Sequence, residues 1–244
     1  MPNTGDIFSH DDLNTNKTIW ENLKDHYKLK PQLPFYILGD VDKNLFKYIM
    51  YSMKLLTMGS ISWKGSEQYY GICFNYNPSI EGKFYQYSQY YESDNRLLSY
   101  ENTLGFYEYN PVGYAFSELF HPFYPVRSKI ATLMGGEFIG DWHTDEDPRE
   151  CVKVLIPVKT DESHMIQIEG KEPFHIPLGK ALVFDASVPH RIICNDRNSD
   201  IRHYLVFSLP IWWKVSKKGI ECTDFINMSI PEAFIYNTNF FIRD

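Results

Sequence analysis

The chain has 244 residues, with 43% hydrophobic and 23% charged residues, which is the composition of an ordinary globular domain. Its formal net charge of -7 makes nucleic acid an unlikely partner for the surface as a whole. The sequence lacks an apolar run of 18 residues, and its polar first residues do not resemble a signal peptide. The four cysteines have no paired spacing typical of zinc sites or disulfide frameworks. We therefore expect a cytoplasmic protein with reduced thiols and no membrane segment.

The first 60 residues contain signals for helices and one strand. Thr18 and Glu21 have the spacing of a capping box, so a short helix should follow them. Residues 33–38 are expected to form a strand or an extended entry segment. Apolar residues recur at three- and four-residue intervals between Leu45 and Leu56, which predicts an amphipathic helix. That helix should begin near Asp40 or Asp42.

The next segment, residues 60–125, has no clear periodicity. A strand is possible within residues 66–76, and tyrosines are frequent over residues 69–114. Long segments of this kind often form lids or binding loops. The alternative is that the tyrosine rings pack on a half-buried sheet with their hydroxyl groups in water. The sequence leaves both interpretations open.

From Arg127 the chain changes to short apolar runs separated by turn residues. Many short strands at such spacing predict an antiparallel sandwich or barrel, and eight runs in about 80 residues suit a jelly roll. We expect a mainly β, single-domain protein with a core over 126–210. Residues 1–125 would be helical and loop-rich decoration, and 211–244 a C-terminal extension. The predicted strands cover residues 129–134, 138–143, 152–158, 164–168, 173–178, 181–184, 190–194 and 203–209.

Two histidines and one aspartate form the most informative pattern. His143 and Asp145 are two residues apart, so a strand would place both side chains on one face. His190 follows 45 residues later, at the start of a predicted strand. Two imidazoles and one carboxylate are the ligand set of non-haem iron(II) oxygenases, and they leave three adjacent metal positions open. Trp142 would point to the opposite face from His143 and pack in the core.

A basic residue completes the pattern. Arg202 lies 12 residues after His190, at the start of the last predicted core strand. A guanidinium group stays charged and can bind a carboxylate through two parallel hydrogen bonds. It suits the distal carboxylate of 2-oxoglutarate. By strand alternation His203 then points outward, and it is a poor candidate for a ligand.

These residues lie in segments that resemble a known family. Asp141-Trp-His-Thr-Asp145, the run from Leu182 to His190, and Arg202-His-Tyr-Leu-Val-Phe207 together resemble the aspartyl/asparaginyl β-hydroxylase-like branch of the Fe(II)- and 2-oxoglutarate-dependent dioxygenases. They are also similar to proline hydroxylases. The resemblance covers roughly residues 125–210, and the remainder of the chain resembles no family that we can name.

The resemblance implies a double-stranded β-helix of the cupin-like type. It implies that His143, Asp145 and His190 bind Fe(II) and are the catalytic centre, and that Arg202 binds 2-oxoglutarate. It also maps a hydroxyl residue of the co-substrate site onto Thr132, and a basic residue onto Arg149 or Lys153. Some relatives have glycine in place of the acid, and halogenating relatives lack it, so the presence of Asp145 favours hydroxylation.

The expected activity is hydroxylation of a C–H bond in an amino acid, free or within a peptide, with release of succinate and carbon dioxide. Dioxygen and 2-oxoglutarate would be co-substrates. Two alternatives remain at this point. One is a non-catalytic, cupin-like module that binds a metal or small ligand, and the other is a metal-dependent isomerase or hydrolase on the same barrel. The oligomeric state has no signal in the sequence.

Overall fold

The structure, a computed structural model, is built from antiparallel β-strands. It describes residues 36–44, 46–47, 50, 63–64, 68–73, 126–145, 152–209, 211, 213–216, 219–224, 228 and 232–233. Within these ranges thirteen strands form three sheets of seven, four and two strands. The two larger sheets pack face to face and enclose the hydrophobic core.

The seven-stranded sheet has the order β1-β9-β6-β11-β4-β3-β2, and all of its pairs are antiparallel. Strand β11 lies at its centre, between β4 and β6. The strands of this sheet are β1 (Tyr36–Asp40), β2 (Trp63–Lys64), β3 (Tyr69–Cys73), β4 (Val126–Leu133), β6 (Val152–Lys159), β9 (Lys180–Phe184) and β11 (Arg202–Leu209).

The four-stranded sheet has the order β5-β10-β7-β8 and carries the second histidine of the pattern. Its strands are β5 (Phe138–Ile139), β7 (His164–Ile168), β8 (Phe174–His175) and β10 (His190–Cys194). A separate hairpin joins β12 (Trp213–Ser216) and β13 (Gly219–Cys222).

The core forms where the apolar faces of the two larger sheets meet. Strand β7 alternates between buried and half-buried residues, so Ile166 and Ile168 point inward while Met165 and Gln167 point away. Nearly every residue of the central strands β6 and β11 is buried. The resulting cluster includes Phe184 and Tyr204 of the larger sheet together with Ile166 and Ile168 of the smaller one.

The predicted mainly β, jelly-roll fold is confirmed by these two packed antiparallel sheets. Each of the eight apolar runs coincides with a strand, although β5 and β8 have only two residues each. The division into core, decoration and extension stays a prediction. Strands β1 to β3, which come from the part expected to be decoration, hydrogen-bond within the same sheet as the core strands.

The predicted helix after β1 begins at Asp42. The Asp42 side chain accepts a hydrogen bond from the Asn44 amide at 2.9 Å, and its carbonyl oxygen accepts one from the Phe46 amide at 2.8 Å, which is the geometry of an N-cap. The capping box at Thr18 and most of the tyrosine-rich segment lie outside the described residues. Across the ranges given above, none of the helical residues belongs to a helix that could span a bilayer.

Candidate metal centre and cavity

Backbone hydrogen bonds bring the three candidate ligands together. His143 lies beyond the end of β5 and pairs with His190 as an isolated β-bridge, with N···O distances of 3.1 and 2.9 Å. The Asp145 amide donates to the Ala186 carbonyl oxygen at 2.8 Å. The potential ligand atoms of His143, Asp145 and His190 all lie within 4.8 Å of one another. Residues distant in sequence therefore form one cluster.

Both histidines are fixed in the tautomer that metal binding requires. His143 Nδ1 lies 2.9 Å from the Asp141 carbonyl oxygen, and His190 Nδ1 lies 3.0 Å from that of Val188. A carbonyl can only accept, so each Nδ1 must carry a proton, which leaves Nε2 as the atom available to a metal. Metal-bound histidines usually donate their other ring N–H in this way. His190 Nε2 lies 3.6 Å from Asp145 Oδ2.

The environment of Asp145 keeps its carboxyl group ionised. Burial would raise the pKa of this group, but the charge and hydrogen bond of Lys153, together with the nearby His190 ring, outweigh it and hold the pKa well below its usual value. Lys153 Nζ is 2.8 Å from Asp145 Oδ2, and its side chain is 4% exposed. Two imidazoles and one carboxylate thus form a donor set that fits Fe(II).

A cavity of about 220 Å³ lies between the two larger sheets, beside the three ligands. Strands of both sheets contribute to it, and its wall combines apolar side chains with a few charged ones. Small-molecule sites commonly have this character. The lining residues are Tyr69, Lys129, His143, Asp145, Lys153, Leu155, Ile166, Phe184, His190, Ile192, Arg202, Tyr204 and Val206.

Arg202 points into this cavity from the first position of β11. It is 3% exposed, and its guanidinium carbon lies 4.1 Å from the centre of the Tyr204 ring. Its Nε is buried and has no hydrogen-bond partner among the described residues. Burial lowers the pKa of Arg202 below its usual value. A buried donor without a partner is costly, and a bound ligand is a common explanation for one.

Thr132 is not brought to the cavity. It pairs with His203 in the β4–β11 register, on the face opposite Arg202, and its hydroxyl group lies 2.9 Å from His203 Nδ1. The resemblance-based assignment of Thr132 to the co-substrate site therefore finds no contact to support it. The expected outward direction of His203 agrees with this placement. Arg149 lies outside the described residues, whereas Lys153 lines the cavity.

The expectation that Trp142 packs in the core is wrong. Its side chain is 44% exposed, and the guanidinium carbon of Arg191 lies 4.5 Å from its ring centre. Arg191 also donates from Nε to Gln167 at 2.9 Å. Trp142 does point away from His143, as expected. It lies, however, on the outer face of the smaller sheet, which the core does not cover at this position.

Tyr69 and Lys129 are among the cavity residues that were not predicted from the sequence. Tyr69 is the first residue of β3 and pairs with Leu133, and burial raises the pKa of its phenol group. Lys129 is 7% exposed and pairs with Val206, another cavity residue. A lysine next to the apolar run 130–133 was the available signal. Without the strand register, Lys129 could not be assigned to the inner face of the sheet.

Comparison with known proteins gives similarity in structure but not in sequence. No family model matches the chain, and no curated protein matches it. Among solved structures, it is similar to an oxidoreductase of the 2OG-Fe(II) oxygenase family from Burkholderia pseudomallei, with TM-score 0.43, 12% identity, and coverage of 77% of this chain and 89% of that one.

It is also similar to a prolyl-4-hydroxylase from Pseudomonas putida, with TM-score 0.43, 12% identity, and coverage of 79% of this chain and 98% of that one. A third similar structure is a prolyl hydroxylase from Trichoplax adhaerens, in complex with a peptide fragment of the hypoxia inducible factor oxygen degradation domain. Its TM-score is 0.41, with 11% identity and coverage of 83% and 94%.

Proposed function

We propose that the chain is an Fe(II)- and 2-oxoglutarate-dependent dioxygenase. The observation that carries this proposal is the convergence of His143, Asp145 and His190 at a cavity that also contains the buried Arg202. Three protein ligands leave coordination positions for a chelating co-substrate and dioxygen. Bound Fe(II) would supply the redox chemistry that couples decarboxylation of 2-oxoglutarate to oxidation of a C–H bond.

Each side chain of the site would have a separate role in binding the metal or the co-substrate. The two imidazoles and Asp145 hold the metal, with their orientation fixed by the Asp141 and Val188 carbonyl oxygens. Arg202 would bind the distal carboxylate of 2-oxoglutarate through its planar donors. Lys153 would provide a second positive charge for the co-substrate. The apolar wall would exclude bulk water, because water would compete for the reactive site.

The overall reaction balances without a further reductant. One oxygen atom of dioxygen enters succinate as carbon dioxide leaves 2-oxoglutarate, and the other enters the substrate as a hydroxyl group. We propose an amino acid, free or as a side chain in a peptide, as the substrate class. This part rests on the sequence resemblance, and the retained Asp145 favours hydroxylation over halogenation.

Succinate release is the direct test. The purified protein should release succinate from 2-oxoglutarate only with Fe(II) and dioxygen, and His143→Ala and Asp145→Ala should abolish the release. Thr132→Val serves as the matched control, because its hydroxyl group lies outside the cavity. Mass spectrometry of free amino acids and cell extracts should detect a product heavier by one oxygen atom. A folded, iron-loaded protein without keto-acid turnover on such panels would contradict the proposal.

The alternative is a non-catalytic, cupin-like binding module. Arg202 Nε, which has no hydrogen-bond partner in the described part of the chain, would suit a carboxylate that reacts or one that is only held, so a spectroscopic test is needed to separate the two. Addition of Fe(II) and 2-oxoglutarate without oxygen should produce the weak visible charge-transfer band of a chelate in an oxygenase. A scaffold should show no band. A zinc- or manganese-dependent isomerase or hydrolase would show no dependence on the keto acid.

A further inference from the structure

One edge of the smaller sheet leads directly into the candidate metal centre. Strand β5 is the outermost strand of this sheet, and β10 lies on one side of it. The chain continues along β10 after β5 ends, because the Gly140 amide donates to the Ile192 carbonyl oxygen at 2.9 Å. Three residues later, His143 forms its β-bridge with His190. Residues 138–143 therefore form one extended segment, the edge segment, which begins at β5 and ends at a candidate metal ligand.

The outer side of the edge segment offers backbone hydrogen-bonding groups to a further strand. Successive amides of a strand point to opposite sides, so the Ile139 amide points away from β10 because the Gly140 amide points toward it. Among the strands that the structure describes, none lies on this outer side. Such an edge can hydrogen-bond an extended chain, which is the strand-addition mode of peptide recognition.

Large apolar side chains of the edge segment are exposed. Ile139 is 64% exposed and Trp142 is 44% exposed. The Trp142 ring is held by Arg191, whose guanidinium carbon lies 4.5 Å from the ring centre and whose Nε donates to Gln167 at 2.9 Å. An anchored aromatic ring is typical of interaction sites, because it contributes a large contact area with little loss of conformational freedom.

The orientation of His143 determines which kind of ligand fits the edge. Residues directly opposite each other on neighbouring strands project to the same face, with Cβ atoms about 4.5–5.5 Å apart. A peptide residue opposite His143, whose side chain is exposed, would therefore direct its own side chain toward the metal centre. The next peptide residue would project to the other face, where Trp142 lies. Ile139 lies on that face too, because it pairs with Ile193, which alternates with the cavity residue Ile192.

We propose that the substrate is an extended peptide that adds to the outer side of residues 138–143 as a further strand. The residue to be oxidised lies beside His143 with its side chain directed at the metal centre, and flanking residues point outward toward Trp142 and Ile139. A free amino acid lacks the neighbouring amides and side chains that would use this edge. The docking stands on the edge segment alone, whereas oxidation of the inward residue rests on the proposed function.

Peptide binding is measured on the full chain with Fe(II) and 2-oxoglutarate under nitrogen, so that no turnover consumes the peptide. The probe is a library of blocked heptapeptides with random flanks and a central aspartate, asparagine or proline, the residues that the sequence resemblance implies. Bound peptides are identified by mass spectrometry after ultrafiltration, and their Kd values are measured by calorimetry. The best heptapeptide should bind at least about tenfold more tightly than the N-acetyl methylamide of its central residue, which lacks the flanking contacts.

Backbone pairing has a signature that side-chain docking lacks. N-methylation of one peptide amide at a time should weaken binding about tenfold at alternate positions and little at the positions between them, since only alternate amides face the edge. On the protein, Ile139→Pro removes the outward amide hydrogen and keeps the Gly140 hydrogen bond, and edge strands tolerate proline. This variant should bind the peptide about tenfold more weakly. Ile139→Val, which keeps the amide, is the matched control and should leave Kd nearly unchanged.

Several results would overturn the inference. They are the absence of binding by every library member, N-methylation effects without a two-residue period, equally tight binding of the single-residue derivative, and unchanged binding by a folded Ile139→Pro. Self-association that Ile139→Pro abolishes, without peptide binding, would also overturn it and assign the edge to a second copy of the chain. The methylation series decides the matter even if Ile139→Pro does not fold.

The same measurements separate this inference from the proposed function. Periodic peptide binding without succinate release would leave the inference standing and contradict the oxygenase. Succinate release with free amino acids and no peptide binding would support the oxygenase and overturn the inference.

Discussion

Replacement of Arg202 by methionine should have opposite effects on ligand binding and on stability. Methionine keeps an unbranched chain of similar length but removes the charge and all donors. Truncation of one partner in a buried charged pair costs about 2–5 kcal/mol. A loss of about 3 kcal/mol corresponds to a roughly 100-fold weaker affinity for 2-oxoglutarate.

The ligand-free protein should respond in the other direction. The buried Nε of Arg202, unpartnered among the described residues, carries an unsatisfied-donor penalty of about 1–3 kcal/mol. Its stacking on Tyr204 returns about 0.5–2 kcal/mol. A net gain of about 1 kcal/mol on substitution would raise Tm by about 2–4 °C in a protein of this size.

Two assays measure these effects. Succinate release at varied 2-oxoglutarate gives the change in KM, and differential scanning calorimetry of metal-free protein gives the change in Tm. Arg197→Met is the control, because this arginine pairs with Glu137 at the surface and its side chain is 86% exposed. A variant with a lower Tm and an unchanged KM would refute the reasoning, since Arg202 would then be a structural residue.

Two further predictions concern stability. Burial lowers the pKa of His164, which is fully buried, and that of His203, so below the unfolded pKa of about 6.5 the unfolded chain binds more protons. The free energy of unfolding should therefore fall as the pH decreases from 7 toward 5, by at most about 1.4 kcal/mol per pH unit for each proton, and Tm should fall with it. His164→Gln should reduce this slope, and an unchanged slope would exclude His164 as its source. Gly135→Ala should lower the free energy of unfolding in urea by about 1–3 kcal/mol, because the added Cβ would collide with the Ser199 carbonyl oxygen. Gly170→Ala should cost less, because that position has open space, although its φ is 77°. The reverse order would contradict the packing at Gly135.

The sequence was most informative where a local pattern determines the outcome. The spacing of His143 and Asp145, together with the apolar run that begins at His190, was sufficient to predict a shared site. Short strands between turn residues likewise indicated a two-sheet fold. Arg202 and His203 were assigned to opposite faces by simple alternation, and the structure places them so.

The sequence was least informative where strand register determines the outcome. The family resemblance implied a co-substrate role for Thr132, but its pairing with His203 places it on the strand face opposite Arg202. Tyr69 and Lys129 reach the cavity only because β3 and β4 lie beside β11 in a particular alignment. Trp142 was expected in the core because it alternates to the face opposite His143, but alternation does not say whether that face is covered, and the side chain is exposed.

The β-bridge between His143 and His190 has a consequence for how the centre assembles. Each residue donates its amide hydrogen to the carbonyl oxygen of the other, although the His143 side chain is exposed. Exchange of either amide with heavy water requires this pair to open, so the two amides should exchange at similar, slow rates. Their protection would report preassembly of the two imidazoles in protein that has never contained iron.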